Sequence, residues 1–451
     1  MIRKAKRATT LVSAVALSLG MVSTGLLAGN ANAATATPGV TAKTITIGAT
    51  VPFSGIAASY APVSAAANAV FTYINKHGGI NGRTIKYDRL DDCYNIAAVD
   101  AKCTAGASTT TLSQTQVLVA QDHVFATVGA LGTAGQDSVR SYLKSNGVPQ
   151  LFVNSGSADW DQPSAYPNLF GFQTSYVAEG KIFARYIKAN FAGKTIGFIG
   201  QNDDFGANGY LGLTDGGLSI SSANHLGYST ADAITGSSSD LQQDVLTLKT
   251  NGAQVVVLDS VPGFTTGILE VAHALSYSPQ WIISSVGSDP TSVATPLEAG
   301  ALSLDYFPAV TDKADPWIPW VRKVLLADKA DFPTFTASSV ITGNELYGAG
   351  YAVGFAEALK AEGRNVTRAG FVKTMESMTL NTPAIVPLKF SKNNHQGLLG
   401  GLIVKIAANG TAAPTTATLV GHNIYSTTNT KASPITVATK MDITPIPSWL
   451  K

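Results

Sequence analysis

The stretch from Thr44 to Asp92, TITIGATVPFSGIAASYAPVSAAANAVFTYINKHGGINGRTIKYDRLDD, decides the fold. Thr44–Val51 is dense in β-branched residues, and alternation places Ile45, Ile47 and Val51 on one face, so it reads as a strand. Pro52 and Ser54-Gly55 stop it. From about Pro62 to Ile74 the spacing turns helical, with Ala66, Ala69, Val70, Tyr73 and Ile74 on one stripe. Gly78-Gly79 ends that helix, because glycine tolerates the left-handed backbone of a helix C-terminus. Asn81-Gly82 then turns the chain into Thr84–Leu90, a second strand that stops at Asp91-Asp92. A strand, a helix and a strand in this compass make one right-handed crossover of a parallel sheet.

The alternation continues. Strand signals recur at Val124–Gly129, Gln150–Val153, Thr195–Ile199, Gln254–Leu258 and Trp281–Ser285, with helical spacing at Ser138–Ser145, Glu179–Phe191, Asp240–Asn251 and Gly263–Leu275. The expected class is therefore α/β with parallel, doubly wound sheets. A later helix, Asn344–Lys360, carries Gly348, Ala349, Ala352 and Ala356, whose small size allows close packing. Its Gly348, Gly350 and Gly354 lack the preceding strand of a dinucleotide fingerprint, so packing is the reading preferred. The tail Asn409–Lys451, rich in Thr, Ala, Pro and Asn, reads as strands and loops. Asn365-Val366-Thr367 and Asn409-Gly410-Thr411 match the glycosylation triplet, a pattern frequent by chance.

Residues 1–33 read as a cleaved export signal: Arg3, Lys4, Lys6 and Arg7, an apolar run from Leu11 to Ala28, then Ala31-Asn32-Ala33. A membrane anchor is the alternative, but Ser13, Ser18, Gly20, Ser23 and Thr24 dilute the run. Asn30 stands where a lipoprotein would have cysteine, so no lipid anchor is expected. Loss of the four cations takes the formal net charge from +2 to −2, which directs nothing toward nucleic acid. The remainder, Ala34–Lys451, exceeds what one core usually supports and points to two lobes. The two cysteines, Cys93 and Cys103, would meet an oxidising compartment and can pair there; free thiols and a metal site are the alternatives.

Pro52-Phe53-Ser54-Gly55, a tyrosine soon after, Asn75-Lys76-His77-Gly78-Gly79-Ile80-Asn81-Gly82-Arg83 and Asp91-Asp92 resemble the opening of type I solute-binding proteins of branched-chain amino-acid-type ABC transporters. The resemblance runs through most of the chain and weakens after about Phe390. It implies two doubly wound parallel-sheet lobes joined by a three-stranded hinge, with crossings near Gln173, Leu302–Phe307 and Ile385–Phe390. Lobe I would hold residues 34–172 and 303–386, and lobe II residues 173–302 and 387–451. A small-molecule ligand would sit between the lobes, and the partner would be an ABC permease. A monomer is expected, with no cofactor and no metal, exported to the periplasm or cell exterior.

Independently of the resemblance, Thr133 reads as the N-cap of a helix beginning near Ala134, at the carboxyl edge of a parallel sheet, where free N–H groups suit a carboxylate. Capping alone is the alternative. The resemblance makes this turn, with Thr133 and Ala134, a contact to the ligand carboxylate. It places Ser155, Gly156 and Ser157 opposite, and adds Ser54, Tyr60 and Tyr176 as cleft-facing residues. In the second lobe Phe205 takes a tyrosine position, and Val261 or Ser285 would complete the cage. The family's amino-acid binders neutralise the ligand ammonium with an acid. Here Ile282–Asp289 offers serine or valine at that point unless Asp289 substitutes, which leaves open an acid without an amine.

Nothing reads as catalytic. The six histidines show no i, i+4 pair, and no nucleophile elbow or phosphate loop is present. Asp91-Asp92 and Asp203-Asp204 are adjacent pairs at strand ends, where solvated carboxylates are ordinary. The expectation is the binding component of an importer for a carboxylate-bearing solute, amino acid or related organic acid. A sensing module with the same cleft is the alternative, and a secreted hydrolase is a third reading.

Overall fold

Strand β1 (Thr44–Val51) buries Ile45, Ile47 and Val51 as alternation demands, and Gly48, Ala49 and Thr50 are buried as well, so its second half is covered on both faces. Such a strand belongs inside a sheet. It pairs in parallel with β2 (Thr84–Asp91), Thr44 opposite Thr84 through Val51 opposite Asp91, and on its other side with β3 (Thr127–Val128). With β4 (Gln150–Val153) and β5 (Leu169–Gly171) these make a five-stranded parallel sheet in the order β2-β1-β3-β4-β5. The expected strand Val124–Gly129 is regular only at Thr127–Val128, yet Phe125 N donates to Thr46 O at 2.7 Å and Gly129 N to Leu151 O at 2.9 Å. This computed structural model describes residues 37–232, 240–293, 296–312, 314–407, 417–426, 436–438 and 444–451. The expected export signal, Asn409–Thr411 and most of the tail lie outside those residues.

Helices α1 (Ala61–Lys76), α2 (Thr111–Ala120) and α3 (Thr133–Ser145) follow β1, β2 and β3 in turn. Beyond α4 (Tyr176–Asn190) the alternation resumes with β6 (Ile196–Gln201), α5 (Asp204–Asp215), β7 (His225–Tyr228), α6 (Asp240–Thr250), β8 (Val255–Asp259), α7 (Pro262–Ala274), β9 (Gln280–Ile283) and β10 (Leu302–Asp305). Next come α8 (Trp317–Ala327), α9 (Gly343–Glu362) and α10 (Arg368–Ser377), then β11 (Thr379–Leu380), β12 (Leu388–Lys389), β13 (Gly400–Ile406), β14 (Ala417–Ser426) and β15 (Thr436–Ala438). The second sheet runs β15-β14-β13-β10-β9-β8-β6-β7. Its β6 to β10 portion is parallel, but β13, β14 and β15 join antiparallel through β10. The connections from β13 to β14 and from β14 to β15 are short enough for antiparallel neighbours, whereas β13 reaches β10 only after α8, α9 and α10. The sheet is thus mixed, where parallel pairing alone was expected.

Helix α9 is buried on nearly every side and crosses α1. At Gly348 an added Cβ would lie 1.9 Å from Val63 O, so the two backbones touch there. The glycines of this helix serve packing, as their setting inside a helix implied. A separate core of Ile182, Phe183, Ile187, Phe198 and Leu213 lies between α4, α5 and the second sheet.

Candidate functional site

The carboxyl ends of both sheets converge. From the first sheet, the chain leaving β1 supplies Tyr60, that leaving β3 supplies Leu131, Gly132 and Thr133, and that leaving β4 supplies Asn154. From the second, Val261 follows β8 and Ser285 and Val286 follow β9. Together with Gln173, Tyr176, Tyr306, Asn344 and Tyr347 they enclose a cavity of about 50 Å³. Crevices outside the carboxyl ends of parallel strands are where α/β folds bind ligands. Hydrogen bonds bridge the two sides. Tyr60 Oη donates to Val286 O at 2.7 Å, Ala158 N to Asn208 Oδ1 at 2.9 Å, and Gln201 Nε2 to Tyr94 Oη at 3.3 Å.

Thr133 is the first residue of α3 and Gly132 is its N-cap, at φ 111° and without any side-chain cap. The expectation that Thr133 caps the helix is off by one, because its Oγ1 is drawn sideways to Ser155 Oγ at 2.8 Å. The consequence favours binding. The first-turn N–H groups of a helix have no intrahelical partner, and here no side chain covers them, so partial positive charge faces the cavity. A carboxylate fits that end.

The tyrosines Tyr60, Tyr94, Tyr176, Tyr306 and Tyr347 line the rest. Burial pushes the Tyr176 hydroxyl up to about 12 and raises the other four well above the usual tyrosine range, so all remain neutral. Two buried carboxyls lie behind this wall. Glu179, in the first turn of α4, accepts from Ser285 N at 2.6 Å and from Ser285 Oγ at 3.1 Å; burial pushes it up to about 7 against those bonds. Asp259, at the end of β8, is raised well above the carboxylate range by burial and then by Glu179. Among the described residues, no charged side chain lines the cavity itself. A neighbouring cavity of about 130 Å³ shares Ser285, Tyr306, Asn344 and Tyr347 with it and holds Asp289 and Asp305.

Of the residues expected in the cleft, Tyr60, Thr133, Tyr176, Val261 and Ser285 line the cavity. Ser155 stands one hydrogen bond behind Thr133, and Ala134 is the next residue of α3. Gly156 lies against Tyr176, whose ring would be 2.7 Å from an added Cβ. Ser157 Oγ accepts from Asp159 N at 3.2 Å in a short turn. Phe205 is buried with its ring centroid 4.4 Å from that of Tyr176, so it supports a cavity residue. Ser54 bonds Asp91 Oδ2 at 2.6 Å and accepts from Thr104 N at 2.9 Å, beside the cysteines.

Tyr94, Gln173, Tyr306 and Tyr347 also line the cavity; Gln173 and Tyr306 are expected from sequence only at lobe crossings, and Tyr94 and Tyr347 not at all. Tyr94 had a signal in the Asp91-Asp92-Cys93 block before it. Cys93, Tyr94 and Asn95 all take left-handed backbone, with φ of 48°, 58° and 63°. Such runs without glycine are strained and persist only where neighbours over-determine them. Asp91 Oδ1 accepts from Cys93 N at 3.0 Å, Asp92 Oδ1 from Tyr94 N at 3.1 Å, and Thr111 Oγ1 donates to Asp92 Oδ2 at 2.7 Å. The Cys93–Cys103 disulfide closes the same loop. It therefore fixes a turn that delivers Tyr94 to the cavity. Cys93→Ser with Cys103→Ser is expected to lower unfolding free energy by about 2–3 kcal/mol, read as a lower urea midpoint. The unliganded mutant should also show faster amide exchange at residues 93–95.

A model described as periplasmic binding protein matches residues 44–411. Solved structures share the fold. One is a possible leucine/isoleucine/valine-binding protein from Rhodopirellula baltica SH 1, with a TM-score of 0.69 at 17% identity, over 85% of this chain and 98% of that one. Another is a branched chain amino acid ABC transporter structure from Thermus thermophilus with bound valine, with a TM-score of 0.67 at 16% identity, over 85% and 98%. A third is a fatty acid ABC transporter substrate-binding protein from Thermomonospora curvata, with a TM-score of 0.67 at 17% identity, over 85% and 94%. None of the curated proteins compared with the chain matches it.

Proposed function

The chain belongs to the periplasmic binding protein family, and from that premise we propose that it is the ligand-binding component of an ABC importer. It captures a small carboxylate-bearing solute between two lobes and presents the closed form to a permease. The observation that carries this reading is the cavity onto which the uncapped amino end of α3 opens, at the carboxyl ends of both sheets. A ligand held there touches both sides and so stabilises the closed arrangement by its differential affinity. The relatives' cargoes, valine in one and fatty acid in another, bracket the chemistry.

In this reading residues 1–33 are removed on export, lobe I holds 34–172 and 303–386, and lobe II holds 173–302 and 387–451. Binding without turnover is its whole task. Four of the contacts, Tyr60, Thr133, Tyr176 and Ser285, offer hydroxyls, and Val261 adds an apolar wall. Ser155, Gly156, Ser157, Ala134 and Phe205 shape and support them.

A thermal-shift screen over amino acids, aliphatic acids, aromatic acids and amides tests the proposal. A ligand at one hundred times its Kd adds about 2.7 kcal/mol to stability. Thr133→Val, which removes one hydroxyl at nearly constant volume, should weaken that ligand by about tenfold, the worth of a hydrogen bond to a charged group. Its unliganded melting temperature should fall modestly, because the buried hydrogen bond to Ser155 Oγ is lost as well. No shift with any compound, or an unaltered Kd in Thr133→Val, would count against the site.

A further inference from the structure

The hydrogen-bonding inventory of the cavity is lopsided. Gln173 is 2% exposed, its Oε1 accepts from Tyr347 Oη at 2.9 Å, and its Nε2 has no partner. Asn154 Nδ2, on the same cavity, is also buried without a partner. The first turn of α3 adds uncovered N–H groups, whereas the hydroxyl hydrogens of Tyr60, Tyr176 and Tyr347 are already given to Val286 O, Ser155 Oγ and Gln173 Oε1. Buried polar groups are ordinarily satisfied, so orphaned donors on a cavity wall mark where a ligand places acceptors.

Charged acceptors for an ammonium are scarce, since no carboxyl lines this cavity among the described residues and Asp305, which lines the neighbouring one, accepts from Phe307 N at 2.9 Å. Both carboxyl oxygens of Glu179 are occupied by Ser285. Asp289 is bound by Thr291 N at 2.8 Å, Thr291 Oγ1 at 2.6 Å and Asn344 N at 3.2 Å, and it lines the neighbouring cavity instead. Tyr60 Oη, its hydrogen given to Val286 O, offers only a neutral acceptor, which does not offset an ammonium's charge. A tyrosine face attracts a cation, but that attraction is weak beside the desolvation of the ion, and it would leave both amide donors unpaired.

We propose that the cargo is an acid without an amine that carries a second oxygen acceptor, such as a 2-oxo, 2-hydroxy or hydroxyaryl acid. Its carboxylate sits on the amino end of α3, and its second oxygen accepts from Gln173 Nε2 and Asn154 Nδ2. Gln173 is then the residue that rejects α-amino acids. This assignment rests on the reading of the cavity as the cargo site.

The test measures Kd by calorimetry for matched pairs of one carbon skeleton, leucine against 2-hydroxy- and 2-oxo-4-methylpentanoate, and 4-aminobenzoate against 4-hydroxybenzoate. Wild type should bind the oxygen member at least about tenfold more tightly. Gln173→Leu should lose about tenfold for the oxygen acids and erase that preference. Gln173→Glu keeps the acceptor for Tyr347 and supplies a carboxylate, so it should reverse the preference toward amines. Each variant's unliganded melting temperature reports whether it folds. Tighter binding of the amine members by wild type overturns the inference, as does a preference unchanged in a folded Gln173→Leu. Binding confined to amides or other compounds without a carboxylate overturns it too, while leaving a cargo site in place. No binding by any compound removes both the inference and the cargo reading.

Discussion

Gly348→Val is expected to destabilise the protein by about 3 kcal/mol or more, the upper range for forcing volume into a packed interior. The ground is the 1.9 Å between an added Cβ and Val63 O, a contact with backbone that no rotamer can relieve. Either α9 must move away from α1 or the carbonyl of Val63 must tilt out of its helix. Both helices are buried along this contact, so neither shift is local. Gly354 in the same helix supplies the control. There the nearest atom to an added Cβ is a Leu388 methyl carbon at 3.2 Å, and side chains yield where backbones do not. Gly354→Ala should therefore be close to neutral, since alanine also gains up to about 1 kcal/mol of helix propensity over glycine. Urea unfolding of the two variants separates the cases, and equal losses would show that glycine in α9 matters for something other than its contact with α1. The effect also reaches the cavity. Tyr347 precedes Gly348, and its hydroxyl holds Gln173 Oε1. A displaced α9 should thus weaken binding even at temperatures where the variant stays folded.

What was legible beforehand divides by distance along the chain. The block Thr44–Asp92 is legible because its strand, helix and turns are each set by neighbouring residues, and β1, α1 and β2 fall within a residue or two of their expected ends. The turns after β3 and β4 are legible for a related reason, since small residues at the end of a buried strand announce a close approach. The remaining cavity wall is not local. Gln173 follows β5, Tyr306 follows β10, and Tyr347 lies on α9; only the closing of two sheets over each other gathers them. A tyrosine on a buried helix looks the same in sequence whether it fills a core or faces a ligand. Likewise the missing acid at Ser284-Ser285 was readable, but that Ser285 instead occupies Glu179, far back in the chain, was not. Thr133 shows the smaller kind of error. Its residue type suits an N-cap, yet Gly132 takes that place because Ser155 holds the threonine hydroxyl.

Gly132 carries the largest expected effect on binding. At φ 111° and ψ 143° it occupies backbone that only glycine adopts readily, and a side chain there would also approach the Tyr94 ring, 3.3 Å from an added Cβ. Gly132→Val must either hold that strain or rotate the peptide that leads into α3. Rotation turns the first N–H groups away from the cavity and pushes Tyr94 from its seat, so anchor and wall are lost together. The ligand with the largest thermal shift in wild type should bind at least about a hundredfold more weakly, equivalent to about 2.7 kcal/mol. Stability should fall by about 1–3 kcal/mol from the strain itself. That part of the effect is measured by Gly78→Ala, where φ is 98°, nothing lies within 4 Å of an added Cβ, and the site is the far end of α1. Gly78→Ala should lower stability and leave Kd unchanged. If Gly132→Val instead binds as tightly as wild type, the carboxylate is not held by α3, and the polarity of the bound ligand must be reversed in the cavity. A shared loss of affinity in both variants would mean that general destabilisation, rather than the amino end of α3, governs binding.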